Sequence, residues 1–230
     1  MRLLLLVALA TAGAFAQAFV VSVKTAKPGK PGMSARYSPG GRIVLENVTV
    51  RYLIDTAWSL HEHQLSGAPA WIDSAHFDIE AKPETEASGE VRMRMIQAIL
   101  LDRFGLVFHR ETKEMPIYAL VIAKNGPKLI PGVMDETAGG SSSGNGMVQG
   151  KGLTTQAMAD LLSVSLERTV VDKTGLKGVF NFKLQWKPDA DAESPSIFTA
   201  IQEQLGLKLE PQKGPVELFV IDRVTPPSDN

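Results

Sequence analysis

The chain has 230 residues, with 24 Lys and Arg against 25 Asp and Glu, 44% apolar residues and a mean hydropathy near zero. That length supports one large domain or two small ones, each able to bury a core without staples, and the balanced charge lacks the basic excess that phosphate neutralisation requires, which argues against a nucleic-acid partner. Zero cysteines exclude disulfides, thiol catalysis and thiolate metal sites together.

Residues 1–18 read as a signal peptide, in which Arg2 precedes the apolar run 3–10 and a stretch of small residues. Two small-x-small sites are available, Ala14-Phe15-Ala16 before Gln17 and Ala16-Gln17-Ala18 before Phe19. The second is preferred, because residues 19–23 then open the mature chain as a strand. The apolar run is short for a bilayer span, and no later segment approaches 18 uninterrupted apolar residues. The expectation is therefore an exported protein, periplasmic or secreted, with no transmembrane segment in the mature chain. Losing Arg2 leaves 23 basic residues against 25 acidic ones, a net charge of about −2.

Residues 19–41 are expected to form an N-terminal strand followed by a Pro/Gly/Lys-rich loop. The blocks 42–124 and 147–224 carry hydrophobic period, and the Gly/Ser-rich stretch 125–146 between them reads as a linker, with 225–230 as a tail. In the first block Thr49 can cap a helix with Val50, Leu53, Ile54, Ala57 and Trp58 on one stripe. Ser88 can cap a second, with Met95, Ile96, Ile99 and Leu100 on one face and Gly105 as its left-handed stop. In the second block Thr154 precedes Met158, Leu161, Leu162 and Leu166, and Ser194-Pro195 precedes Ile197, Ala200, Ile201 and Leu205, with Gly206 as the stop. Strands are expected over 42–45, 77–81, 106–112, 117–123, 169–171, 179–186, 207–210 and 216–222, with Pro116 and Pro215 as turn residues.

The two blocks align. Asn47-Val48-Thr49-Val50 matches Gly152-Leu153-Thr154-Thr155, Phe77-Asp78-Ile79 matches Phe180-Asn181-Phe182, Phe104-Gly105-Leu106 matches Leu205-Gly206-Leu207, and the segment from Pro116 matches that from Pro215. The offsets fall smoothly, 105, 103, 101 and 99, as small loop deletions would produce. The expected fold class is α+β, built from two tandem pseudo-repeats of βαβ-type units with helices packed on short mixed sheets. In that plan Leu120, Ile122, Leu218 and Val220 occupy equivalent core positions.

From Phe19 onward the chain resembles a family of exported, soil-associated acidobacterial proteins of the Solibacter type, of unknown function. The residues that carry the likeness are Asn47-Val48-Thr49, Gly67-Ala68-Pro69-Ala70-Trp71-Ile72-Asp73, Phe77-Asp78-Ile79-Glu80-Ala81-Lys82, Asp102-Arg103-Phe104-Gly105-Leu106, Pro116-Ile117-Tyr118-Ala119-Leu120, Val171-Asp172-Lys173-Thr174-Gly175-Leu176, Leu205-Gly206-Leu207 and Gly214-Pro215-Val216-Glu217. Phe19-Val20-Val21-Ser22-Val23-Lys24 departs from that family's usual Phe-Glu-Val-Ala-Ser-Ile-Lys. More distantly, the half-unit is similar to the short N-terminal domain of secretins and TonB-dependent receptors, which implies a βαβ module for protein contacts.

Candidate chemistry is sparse. Asp172-Lys173-Thr174-Gly175 shares its letters with the phosphorylated loop of cation-pumping ATPases, but further acidic magnesium ligands and a GDG-type motif are missing and Leu176 stands next. A polar turn is the expectation, with Gly175 at positive φ. His61 and His63, with His76 and His109 elsewhere, are the weak metal candidates; an H-x-H pair faces one side only in an extended chain, so a solvated helix end is expected instead. The serines 141–143 lack a nucleophile elbow, and the glycines around them lack a phosphate-binding frame. Asp78/Glu80 and Asp189/Asp191 read as solvated carboxylates. Trp58 is expected in the core, whereas Trp71 and Trp186 are the candidates to border a groove for a peptide or glycan. No catalytic residue, cofactor or metal is assigned. The expected function is a binding or protein-interaction module whose partner is an envelope protein, peptide or glycan, the competing class being an extracytoplasmic hydrolase with an unfamiliar site.

Overall fold

A computed structural model of the chain describes residues 19–27, 29, 32–133, 140–144, 146–187 and 195–227. In chain order its elements are β1 (Phe19–Thr25), β2 (Ser34–Tyr37), β3 (Ile43–Thr49), α1 (Val50–Trp58), β4 (Leu65–Ser66), α2 (Trp71–Ser74), β5 (His76–Pro83), α3 (Gly89–Arg103), β6 (Val107–Ile122), β7 (Ile130–Pro131), β8 (Gly140–Gly144), β9 (Met147–Leu153), α4 (Thr155–Leu166), β10 (Val170–Asp172), β11 (Phe180–Gln185), α5 (Ile197–Ala200) and β12 (Leu207–Arg223). They form two compact units: the described residues up to Trp58 with Ala70–Gly105 and the end from Thr225, and Ser59–Pro69 with Leu106–Val224. The fold class is α+β, as expected.

In the first unit an antiparallel sheet has the order β1-β5-β3-β2. Alternate residues of β3 and β5 point inward, burying Ile43, Leu45, Phe77, Ile79 and Ala81. The register between β3 and β5 jumps between Leu45 and Val48, and Asn47 takes φ 56° at this bulge. Thr49 then caps α1, its hydroxyl accepting the Tyr52 N–H at 3.2 Å. The helix buries Val50, Leu53, Ile54 and Ala57. Ser88 caps α3, which buries Met95, Ile96, Ile99 and Leu100. Gln97 of α3 donates to the Ala57 carbonyl of α1 at 2.7 Å, satisfying an orphan acceptor near the end of that helix.

The second unit holds two sheets. One has the order β10-β6-β12-β4, antiparallel at its centre and parallel at both edges. The other, β7-β11-β9-β8, is antiparallel throughout. A core of Leu120, Val148, Met158, Leu162, Val170, Leu184, Ile201, Leu205, Leu207 and Leu209 joins both sheets to α4 and α5. A smaller cluster of Ile117, Val216 and Leu218 also involves β6 and β12.

Several expectations need correction. Residues 106–123 and 207–222 are not strand pairs with proline turns but two continuous strands that pair with each other along their length. The prolines are tolerated because they face the open edges. Tyr118 N–H donates outward to Thr169 O, and Glu217 O accepts outward from Gln64, so Pro116 and Pro215, two residues earlier, direct their ring nitrogens away from the ladder. The equivalent core positions slip by one: Leu120 aligns with Phe219, both fully buried, while Leu218 packs in the smaller cluster, Ile122 is 41% exposed and Val220 is half-buried. Within the stretch read as a linker, 130–131 and 140–144 are strands, and Ser34–Tyr37 is a strand within the expected loop. The cap of α5 is Ser196, not Ser194, which lies outside the described residues, as do 1–18. The compact units do not follow the blocks 42–124 and 147–224, since Ser59–Pro69 and the stretch from Leu106 to Val224, both within or beginning in the first block, belong to the second unit.

The order of elements repeats. Leaving aside α2, the 3₁₀ turns at Pro39–Gly41 and Glu62–Gln64 and the π-turn at Ile201–Leu205, the run β1-β2-β3-α1-β4-β5-α3-β6 has the counterpart β7-β8-β9-α4-β10-β11-α5-β12. The sheet orders β1-β5-β3-β2 and β7-β11-β9-β8 correspond strand for strand.

Candidate functional site

An open concave surface lies where α5 meets β12. Ser196 starts the helix, its hydroxyl accepting the Thr199 N–H at 3.3 Å. Ile197, Ala200, Ile201 and Leu205 turn inward, so Phe198, Thr199, Gln202 and Glu203 share the outer face. From Ile201 to Leu205 the helix widens into a π-turn closed by the Gly206 N–H on the Ile201 carbonyl. Such turns recur at functional positions. Gly206 at φ 64° then sends the chain directly into β12. Lys208 and Leu209 of that strand, with Phe198, Thr199, Gln202 and Glu203, line a groove of about 290 Å³.

The frame around this groove is fixed by polar contacts. The Gln204 amide both donates to the Gln185 carbonyl at 2.8 Å and accepts its N–H at 3.0 Å, locking the turn to β11. Lys128 donates its N–H to Leu205 O and its ammonium to Glu203 O. A Cβ on Gly206 would stand 2.1 Å from the Gly126 carbonyl oxygen, so this approach requires glycine.

Two signs of charge meet in the groove. Glu203 supplies a carboxylate, and Lys208 an ammonium that also pairs with Glu210 at 3.1 Å. Phe198 is 42% exposed, and its ring meets Tyr118 of β6 edge-on at 5.3 Å. The Arg168 guanidinium lies over the Tyr118 ring at 4.9 Å, extending the aromatic ledge with a cation. This arrangement presents one exposed apolar ring among a hydroxyl, an amide and charged groups of both signs. It suits binding by contact and hydrogen bonding.

The residues singled out from the sequence fall elsewhere. His61 and His63 do come together, their rings stacked at 5.7 Å, but through a 3₁₀ turn at Glu62–Gln64 and not through an extended chain. His63 Nε2 is 2.8 Å from Thr169 Oγ1 at the start of β10, and Gln64 reaches Glu217 O on β12, so the turn is tied to both of these strands. Among the described residues no group of three or more His, Asp or Glu is placed to hold a metal ion. His76 engages the Ser74 carbonyl and His109 the Asp222 carboxylate.

Asp172 forms a polar knot. Its carboxylate accepts the Thr155 hydroxyl at 2.6 Å, the Thr174 N–H at 2.9 Å and the Thr174 hydroxyl at 2.7 Å. Burial pushes the carboxyl up, but the bonds from Thr155 and Thr174 and the Lys177 charge outweigh it and hold it below the ordinary value of 3.8. The carboxylate is thus engaged in closing a turn, with Gly175 at φ 69°. Asp78 and Glu80 are held by the Asn47 N–H and by Arg42. Residues 189 and 191 lie outside the described residues.

Trp71 opens α2 in the first unit and is half-buried. Trp186, in the second, packs half-buried against the core. Trp58 is half-buried as well, not part of the core. Phe198, Tyr118 and Arg168 were not among the sequence candidates. The signal for Phe198 was present, an aromatic residue one place off the Ile197, Ala200, Ile201, Leu205 stripe.

The fold is α+β, with an open groove beside its last helix. By comparison with known families the chain belongs to the family described as a protein of unknown function (DUF3738), whose match covers residues 51–224. Neither the curated proteins nor the solved structures contain a match to it. No helix among the described residues is long and apolar enough to cross a membrane.

Proposed function

We propose that this chain is an exported, extracytoplasmic binding module, and that its two runs of elements descend from an internal duplication. The Arg2-led apolar run supports export, and the matching element orders support duplication. The observation that carries the binding role is the pre-formed groove beside Phe198. An exposed aromatic ring on a frame held by Gln204, Lys128 and Gly206 needs little ordering to engage a partner.

The test is photo-crosslinking in the native host, with a photoreactive residue at Thr199 on the groove rim and, as control, at the exposed Lys82 of β5. A specific adduct from position 199 that is absent from position 82 is the expected outcome. Adducts from both positions alike, or none from either, would reject the binding role, and steady turnover of ester, peptide, phosphate or glycan substrates by the purified protein would replace it with a hydrolase. N-terminal sequencing from the host checks export, which a start at Met1 or Arg2 overturns.

A further inference from the structure

We infer that the groove between α5 and β12 binds a neutral sugar ring of a glycan; this rests on the binding role proposed above. Its charges argue against ionic ligands of either sign. An anion drawn to Lys208 would meet Glu203, and a cation drawn to Glu203 would meet Lys208, which already holds Glu210 as a partner. A wholly apolar ligand would bury the Thr199 hydroxyl and the Gln202 amide without replacing the water they bond, at a cost. What fits is a neutral molecule with one apolar face and a rim of hydroxyls. A pyranose has that form, its C–H face laid on an aromatic ring and its hydroxyls pairing with groups that both donate and accept.

The groove supplies these complements in one place. Phe198 offers the ring, and the Tyr118 edge at 5.3 Å keeps it from turning freely. Gln202 offers an acceptor and two donors, Glu203 an acceptor for hydroxyl protons, and Lys208 a donor. Gln202 and Glu203 lie within the π-turn, whose wider spacing splays them towards the strand. A space of about 290 Å³ accommodates one ring with its hydration and leaves the Arg168–Tyr118 ledge for the next.

The test uses the full mature protein and four neutral hexasaccharides, cello-, malto- and xylohexaose and hexa-N-acetylchitohexaose, followed by titration calorimetry. Saturable heat with at least one of them is expected. Phe198→Ala should weaken that binding about tenfold or more, Gln202→Ala severalfold, and Phe198→Tyr should keep it. Because Phe198 is partly exposed, the variants should keep the parent's thermal midpoint, and Glu203→Gln, which preserves shape, serves as a second probe of the same groove. No heat with any of the four up to about 10 mM overturns the sugar assignment, as does binding that Phe198→Ala and Glu203→Gln both leave unchanged. The crosslink at position 199 separates the two conclusions. If the hexasaccharides fail and that position still captures a polypeptide, the groove binds protein and only the sugar inference falls; if it captures nothing, the binding role falls too.

Discussion

The bulge between β3 and β5 in the first half of the chain is clasped by a carboxylate, and the matching bulge between β9 and β11 in the second half by an amide. Asn47 at φ 56° donates its N–H to Asp78 at 2.8 Å, and Gly152 at φ 62° donates its N–H to Asn181 at 2.8 Å. Two residues on, Thr49 caps α1 and Thr154 caps α4 in the same way. Different residues thus meet one backbone demand, since Asn and Gly both tolerate the left-handed region. The halves part company at their second helices. α3 is a 15-residue α-helix, whereas α5 is one turn running into a π-turn. Aligned on Gly105 and Gly206, the exposed apolar residues Leu101 and Val107 stand where Gln202 and Lys208 line the groove. Positions that bend the chain are matched between the halves, and positions on the exposed faces around the second helices differ.

The sharpest way to break this comparison is at the long strands. Phe219→Ala should cost about 3–5 kcal/mol and Leu120→Ala about 2–5 kcal/mol, because both aligned side chains are fully buried and leave cavities. Ile122→Ala, at a position 41% exposed, should cost well below either. Urea unfolding midpoints check the order, and an Ile122 variant as damaging as Leu120→Ala would show the alignment to be out of register. Next come the glycines. Gly206→Ala should cost about 3 kcal/mol, adding a clash with Gly126 O at 2.1 Å to backbone strain, whereas Gly105→Ala meets only the Thr225 hydroxyl at 3.2 Å and should cost about 1–2 kcal/mol.

The Asp172 knot has no counterpart in the first half, where Leu65, Ser66 and Gly67 occupy and follow β4. Asp172→Ala should cost about 1–3 kcal/mol near neutral pH by stranding Thr155 and Thr174. Since folding lowers the Asp172 pKa, its stabilisation is full above the ordinary value of 3.8 and is lost as pH falls through the lower folded value. Wild type and variant should therefore converge in acid, as denaturation followed from pH 7 downwards would reveal. At the bulges, Asp78→Ala and Asn181→Ala should each cost about 1–2 kcal/mol, a loss on one side only showing that one clasp is dispensable. Smallest, and alike, are Thr49→Ala and Thr154→Ala at about 1 kcal/mol each by thermal melting.

Much of this frame was legible because it is local. Thr49, Ser88 and Thr154 announce their helices three residues ahead of the N–H groups they receive, and Gly105 and Gly206 mark the stops by a backbone state other residues avoid. What escaped depends on partners distant in sequence. Pro116 reads as a turn until β12 lies on one side of its strand and leaves the other open. Gly140–Gly144 reads as a linker because its composition carries no hydrophobic period, and its pairing with β9 is a partnership of backbones. Phe198 lies one place off the inward stripe of its helix, and only the placement of Tyr118 and Lys208 makes it the wall of a groove.

The pairing of β6 with β12 also sets a timetable. Residues in register across that ladder are between 85 and 116 positions apart in the chain, from Leu207↔Ile122 to Arg223↔Val107. Closing loops of that length is entropically costly and slow. β6 must wait without its central neighbour until nearly the whole chain has been synthesised, exposing a long strand edge in the meantime. The last strand to emerge from synthesis is thus the one that lets the sheet close.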